Sequence, residues 1–143
     1  MIHQQQTQTN GGRVRYARSR GDSFMPTVLL VDDSPVVRRV LTQRLVADGF
    51  DVVAKPSADA ARAVDLSTLA CAIIDIELPD GSGSHLAGEL LQRRPSLPVA
   101  FFTSGASAAV MALARTHGPV FAKPEVEPLL AWVGTAAQPP PTK

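Results

Sequence analysis

Five short apolar runs, each followed by a stretch with helical spacing, set the architecture that this chain can adopt. They are Thr27–Val31, Val52–Ala54, Ala70–Ile76, Pro98–Phe102 and Val120–Ala122. Runs of this length without polar alternation are the mark of strands covered on both faces. Ser34-Pro35 supplies a helix cap followed by proline at the first helical position. Val37, Val40, Leu41 and Leu45 then share one face of a helix that Gly49 ends. Ala58–Leu66 reads as a weaker, alanine-rich helix. Ser84–Arg93 buries Leu86, Leu90 and Leu91, and Ser107–His117 is closed by Gly118. Val126, Leu129, Leu130 and Val133 recur at helical spacing and predict a last amphipathic helix.

The order βαβαβαβαβα implies one α/β domain with a parallel sheet and helices on both faces. The expected fold is flavodoxin-like, a doubly wound five-stranded sheet in the order 2-1-3-4-5. The domain is expected over residues 25–136. Residues 1–24, rich in Gln, Thr, Gly, Ser and Arg without an apolar period, are expected to be a disordered extension. Met25 would make a natural start, so the preceding segment is expected to be an upstream extension. Residues 137–143 contain three consecutive prolines and are expected to form an unstructured tail.

Charge narrows the function classes. Residues 1–25 carry four arginines against Asp22, whereas residues 26–143 carry ten basic and twelve acidic side chains. The folded part therefore has no electrostatic footprint for nucleic acid. No apolar run reaches the length of about 18 residues that would suggest a membrane span, and the polar N-terminus lacks a secretory signal. Cys71, the single cysteine, excludes an internal disulfide and fits a reducing cytoplasm.

Polar residues interrupt the apolar strands at particular places. Asp32-Asp33 follow the first strand, Asp75 closes the third, Thr103 follows the fourth and Lys123 the fifth. Strands of a parallel sheet all point the same way, so these groups converge at one carboxyl-terminal edge, where doubly wound sheets place their ligands. Singly, each has a plain reading: Asp32-Asp33 a turn and cap, Thr103 a strand-end hydroxyl, Lys123 a surface lysine. Asp75 does not, because a lone carboxylate at the end of a buried strand is costly. Three adjacent carboxylates need compensating charge. Lys123 offers one positive charge, and Mg²⁺, a hard cation that prefers oxygen ligands, would supply two more. An aspartate so placed can act as a covalent nucleophile toward phosphorus.

These residues resemble the response-regulator receiver domains of two-component signalling. The resemblance spans residues 27–133 and rests on Asp32-Asp33, Asp75-x-x-Leu78-Pro79-Asp80-Gly81, Thr103 and Lys123-Pro124 in that order. It implies that Asp75 accepts a phosphoryl group from a sensor histidine kinase or histidine phosphotransfer protein. It also implies that Asp32, Asp33, Asp75 and the Glu77 backbone carbonyl hold Mg²⁺, and that Thr103 and Lys123 bind the phosphoryl group. A cis Lys123–Pro124 bond is implied too. The chain would then be a cytoplasmic signalling protein rather than an enzyme with a separate substrate. It would act as a stand-alone module whose output comes from a partner, with a phosphorylation-dependent homodimer as a further possibility. The last two helices and the fifth strand are the implied partner surface.

Two departures stand out. Val120 occupies the position three residues before the lysine, where the family usually carries an aromatic that swings inward, and Phe121 is expected in the core. Glu77 puts an acidic side chain at the mouth of the site, where it is expected to alter the lifetime of an acyl phosphate. Two further readings come from other classes: an aspartate-nucleophile phosphatase, for which Glu77 would be the second acid, and a receiver-like adaptor that is not phosphorylated. A calcium loop over Asp75–Gly81 is excluded because Leu78 and Pro79 break the ligand spacing.

Overall fold

Successive residues of the buried strands pack into two separate apolar clusters, as the pleat of a strand requires. A computed structural model describes residues 6–10, 13–17 and 25–137. The strands are β1 (Gln6–Asn10), β2 (Arg13–Ala17), β3 (Thr27–Val31), β4 (Asp51–Lys55) and β5 (Leu69–Ile74), followed by β6 (Glu77–Leu78), β7 (Gly81–Ser82), β8 (Val99–Thr103) and β9 (Val120–Ala122). The helices are α1 (Pro35–Ala47), α2 (Ala58–Arg62), α3 (Gly83–Arg93), α4 (Ala108–Arg115) and α5 (Val126–Ala136).

The five parallel strands run β4-β3-β5-β8-β9, which is the expected order 2-1-3-4-5. On one face Val28, Leu30, Ile73 and Phe102 meet Leu41 and Leu45 of α1 and Leu129 and Val133 of α5. On the other, Leu29, Val31, Ile74 and Phe101 meet Ala61 of α2, Leu86 and Leu90 of α3 and Ala114 of α4. Fully burying one such Leu or Phe side chain contributes about 2 kcal/mol, so this double cover accounts for the wholly apolar strands. The chain winds to one side of β3 first and to the other side afterwards. The crevice between the ends of β3 and β5 is therefore the topological switch point.

Three details differ from the sequence expectation. The second helix stops at Arg62, and a single 3-10 turn follows at Leu66–Thr68. Asp65 draws the chain out of the helix by accepting from the Ser67 amide at 3.0 Å. Arginines of the next helix and its cap then take the freed carbonyls. Arg93 donates to the Arg62 and Val64 carbonyls at 3.0 and 3.1 Å, and Arg94 donates to those of Leu66 and Leu69.

Secondly, part of the extension expected to be disordered forms two strands. β1 and β2 pair antiparallel, and β2 continues antiparallel onto β4 through Arg13↔Val53 and Val14↔Val52. The sequence 13–16 alternates basic with β-branched or aromatic residues, a strand period that charge counting overlooks. Pairing there also covers the otherwise open edge of β4. Residues 1–5, 11–12, 18–24 and 138–143, including most of the expected proline-rich tail, lie outside the described residues. Thirdly, β6 and β7 make a two-stranded ribbon in the segment read as a turn.

Candidate functional site

The end of β3 delivers Asp32 and Asp33 to the switch point. The Asp32 amide donates to the Lys55 carbonyl at 3.1 Å, so the strand ladder carries on to the residue that turns into the site. Asp32 is only 1% exposed. One carboxylate oxygen accepts from the Ser34 amide at 2.9 Å, and Ser34 in turn caps α1 by accepting from the Val37 amide at 3.2 Å. Arg38, one turn into α1, donates to the Asp32 carbonyl at 2.8 Å and holds the loop against the helix. Asp33 is exposed.

Asp75 leaves the end of β5 with its amide bonded to the Val31 carbonyl at 2.9 Å, and is 6% exposed. Its Oδ1 accepts from the Glu77 amide at 3.2 Å. The Lys123 ammonium reaches across from the end of β9 and donates to Asp75 Oδ2 at 3.0 Å and to Asp32 Oδ2 at 2.9 Å. Thr103, 2% exposed, ends β8, and its carbonyl accepts from the Lys123 amide at 2.9 Å. The Lys123–Pro124 bond is cis. Glu77 is exposed and pairs with Ser82 in the β6–β7 ribbon.

The electrostatics follow from burial and unequal charge. Burial holds the Asp32 carboxyl above its usual range. Lys123 and the Ser34 amide pull it down but do not cancel that rise, to which the neighbouring Asp75 adds. For Lys123, burial pushes the ammonium pKa down, yet its bonds to Asp32 and Asp75 outweigh this and hold it above the ordinary lysine value. One ammonium bridges two carboxylates, with a third alongside. Oxygens of Asp32, Asp33 and Asp75 lie within 4.8 Å of one another. That spacing and all-oxygen chemistry fit a hard divalent cation such as Mg²⁺.

The response regulator receiver domain signature matches residues 28–128. The chain belongs to this family. The receiver domain is 42% identical over 83 residues to the DNA-binding transcriptional activator DevR/DosR of Mycobacterium tuberculosis, a match covering 56% of this chain and 38% of that protein. It is 34% identical over 108 residues to a protein-glutamate methylesterase/protein-glutamine glutaminase of Desulfitobacterium hafniense, covering 71% of this chain and 28% of that protein. The chain thus spans little more than a third of these relatives at most. Among solved structures, the non-phosphorylated HemR receiver domain from Leptospira biflexa superposes with a TM-score of 0.72 at 24% identity, covering 82% of this chain and 98% of that one. The Mg²⁺-BeF complex of TrrA from Thermotoga maritima gives 0.71 at 23%, covering 78% and 99%. At such identities the likeness concerns the fold.

Two features of the receiver domain escaped the sequence reading. A side chain at Gly83 would place its Cβ 2.0 Å from the Asp75 carbonyl oxygen, so only glycine lets α3 start against the site strand. Asp80, read as turn chemistry, directs its carboxylate to α2 instead. Neither has a local signal, because each depends on a segment brought alongside by the fold. Val120 packs half-buried against one apolar cluster, and Phe121, expected in the core, is likewise only half-buried and packs against the other. Among the described residues no helix is long and apolar enough to cross a membrane.

Proposed function

We propose that this receiver domain is a phosphoacceptor in a two-component relay, taking a phosphoryl group from phosphohistidine onto Asp75. The donor is a sensor histidine kinase or a histidine phosphotransfer protein. The observation that carries this reading is the Lys123 ammonium shared between Asp32 and Asp75, with Asp33 alongside. A half-buried lysine bridging two carboxylates, with a third close by at the topological switch point, is the kind of charged cluster that marks a functional site.

In the proposed step a lone pair of the Asp75 carboxylate attacks phosphorus in line. The P–N bond breaks, and the imidazole leaves with the bonding pair and takes a proton from water. The product is an acyl phosphate on Asp75, later hydrolysed when water attacks phosphorus and the carboxylate departs. Lys123 and the Thr103 hydroxyl bind phosphoryl oxygens as charge spreads over them. Asp32, Asp33, Asp75 and the Glu77 backbone carbonyl would hold Mg²⁺, which when bound neutralises carboxylate and phosphoryl charge together.

The face from which the donor approaches is suggested by a cavity of about 240 Å³ that Lys123 shares with Val36, Val40, Phe102, Pro124 and Val126. Val36 and Val40 of α1 are 59% and 42% exposed, so apolar surface adjoins the site where a helical phosphohistidine protein would rest. The output surface is proposed along α4, β9 and α5, where Leu113 is 53% exposed. A cytoplasmic setting belongs to this reading, since ATP recharges such donors.

Intact-mass measurement after incubation with acetyl phosphate, with and without Mg²⁺, tests the reading. The expected result is a single Mg²⁺-dependent phosphoryl adduct, labile in base and absent from Asp75→Ala. A folded wild type that takes no phosphoryl group would overturn it and favour an adaptor that is not phosphorylated.

A further inference from the structure

We infer that Asp80 is a positioning residue for the metal-binding end of the site, locking the β6–β7 ribbon onto α2 and so fixing the Glu77 backbone beside Asp75. This rests on the reading of that end as a divalent cation site.

Both oxygens of the Asp80 carboxylate accept from backbone amides of a distant segment. Oδ1 accepts from the Ala58 amide and Oδ2 from the Asp59 amide, each at 2.9 Å. These are two of the first donors of α2. The next, from Ala60, is taken by the Ser57 hydroxyl at 3.2 Å. A residue serving only its own turn would bond to backbone one or two positions away. Asp80 instead reaches 22 and 21 residues back along the chain.

The ribbon depends on such outside support. It consists of two residue pairs, Glu77↔Ser82 and Leu78↔Gly81, and two-stranded ribbons are marginal on their own. Gly81 supplies the positive φ of 148° that its turn requires. On the site side, the Glu77 amide donates to Asp75 Oδ1 at 3.2 Å and the Gly83 amide to the Ile76 carbonyl at 2.6 Å. Asp80 provides the hold at the opposite tip. The helix that it grips is itself fixed, because Arg62 of α2 bonds Glu89 of α3 at 2.9 Å. Glu77 lies between the two holds, so removing the outer one frees the ribbon to swing and would carry its carbonyl away from a cation held at Asp75. Groups that orient a ligand from behind typically change metal affinity by 10- to 100-fold when removed.

The test is a Mg²⁺ titration of the full-length ¹⁵N-labelled chain without phosphodonor, following the Asp75 and Glu77 amide resonances. The variants are Asp80→Ala, Asp80→Asn and Ser57→Ala, with circular dichroism to verify the fold. Asp80→Ala is expected to weaken Mg²⁺ about tenfold. Asp80→Asn keeps one acceptor and should fall between it and wild type. Ser57→Ala loosens α2 without touching the ribbon and should bind within twofold of wild type. If Asp80→Ala does not fold, the comparison of Asp80→Asn with Ser57→Ala decides. Asp80 variants binding as tightly as wild type would overturn the inference, as would an equal loss in Ser57→Ala or a wild type without Mg²⁺ affinity. A wild type that binds Mg²⁺ but accepts no phosphoryl group would instead sink the phosphoacceptor reading and leave the role of Asp80 standing.

Discussion

Lys123 Nζ lies 2.9 Å from Asp32 Oδ2 and 3.0 Å from Asp75 Oδ2, so one ammonium joins the ends of β3, β5 and β9. Replacing it by methionine leaves two buried carboxylates facing each other with no cation. Hydrogen bonds to charged groups contribute about 2 kcal/mol each, and a loss of that order is expected for Lys123→Met in urea melts without Mg²⁺. The variant should gain more stability from added Mg²⁺ than wild type does. The sign with pH follows from the raised lysine pKa. The contribution is complete below the ordinary value of 10.5 and disappears as pH rises through the higher folded value. The difference between wild type and variant should therefore hold steady from pH 7 to 9 and shrink above pH 10.5.

Gly83→Ala should be severe. Its Cβ would sit 2.0 Å from the Asp75 carbonyl oxygen and 2.9 Å from Ile74 Cγ2, so helix and strand must separate. A loss of about 3 kcal/mol is expected from such overpacking. Equilibrium denaturation that matched wild type would show that α3 can shift freely.

Glu77 is exposed on the ribbon, two residues after Asp75. A carboxylate there repels a phosphoryl group or orients the water that attacks it, so Glu77→Asn should change the half-life of the acyl phosphate by severalfold. Decay of the phosphorylated protein, followed by mass, gives the answer. Identical half-lives would remove Glu77 from the chemistry.

Asp80 makes the acid limb of stability informative. Its bonds from the Asp59 and Ala58 amides hold its carboxyl below the ordinary value of 3.8. A depressed carboxyl stabilises the fold above the unfolded pKa, and the effect disappears as pH falls through the folded one. The melting difference between wild type and Asp80→Asn should be present at pH 6 and vanish on acidification below 3.8. A difference constant with pH would mean that charge plays no part in the cap.

Cys71 lies in β5 with no solvent exposure, and burial pushes its thiol pKa up to about 12. It should not react with a thiol reagent at pH 8 on the timescale of minutes, and should react at once in urea. Rapid modification of the native protein would show that β5 opens locally.

Sequence alone determined the parallel sheet, its order and the converging polar edge. Strand identity resides in local apolar runs, and parallel direction then fixes which ends meet. The five polar positions stood out together because each closes or follows an apolar strand at the same sheet edge. Only the tertiary structure decided which groups touch. The segment after α2 is held by Arg93 and Arg94, which reach back to the carbonyls of Arg62, Val64, Leu66 and Leu69. The demand for glycine at 83 arises from the neighbouring strand carbonyl. The grip of Asp80 on α2 joins residues more than twenty positions apart. Propensity and period act over a few residues. Hydrogen bonds and close approaches between distant segments exist only once the chain has brought those segments together.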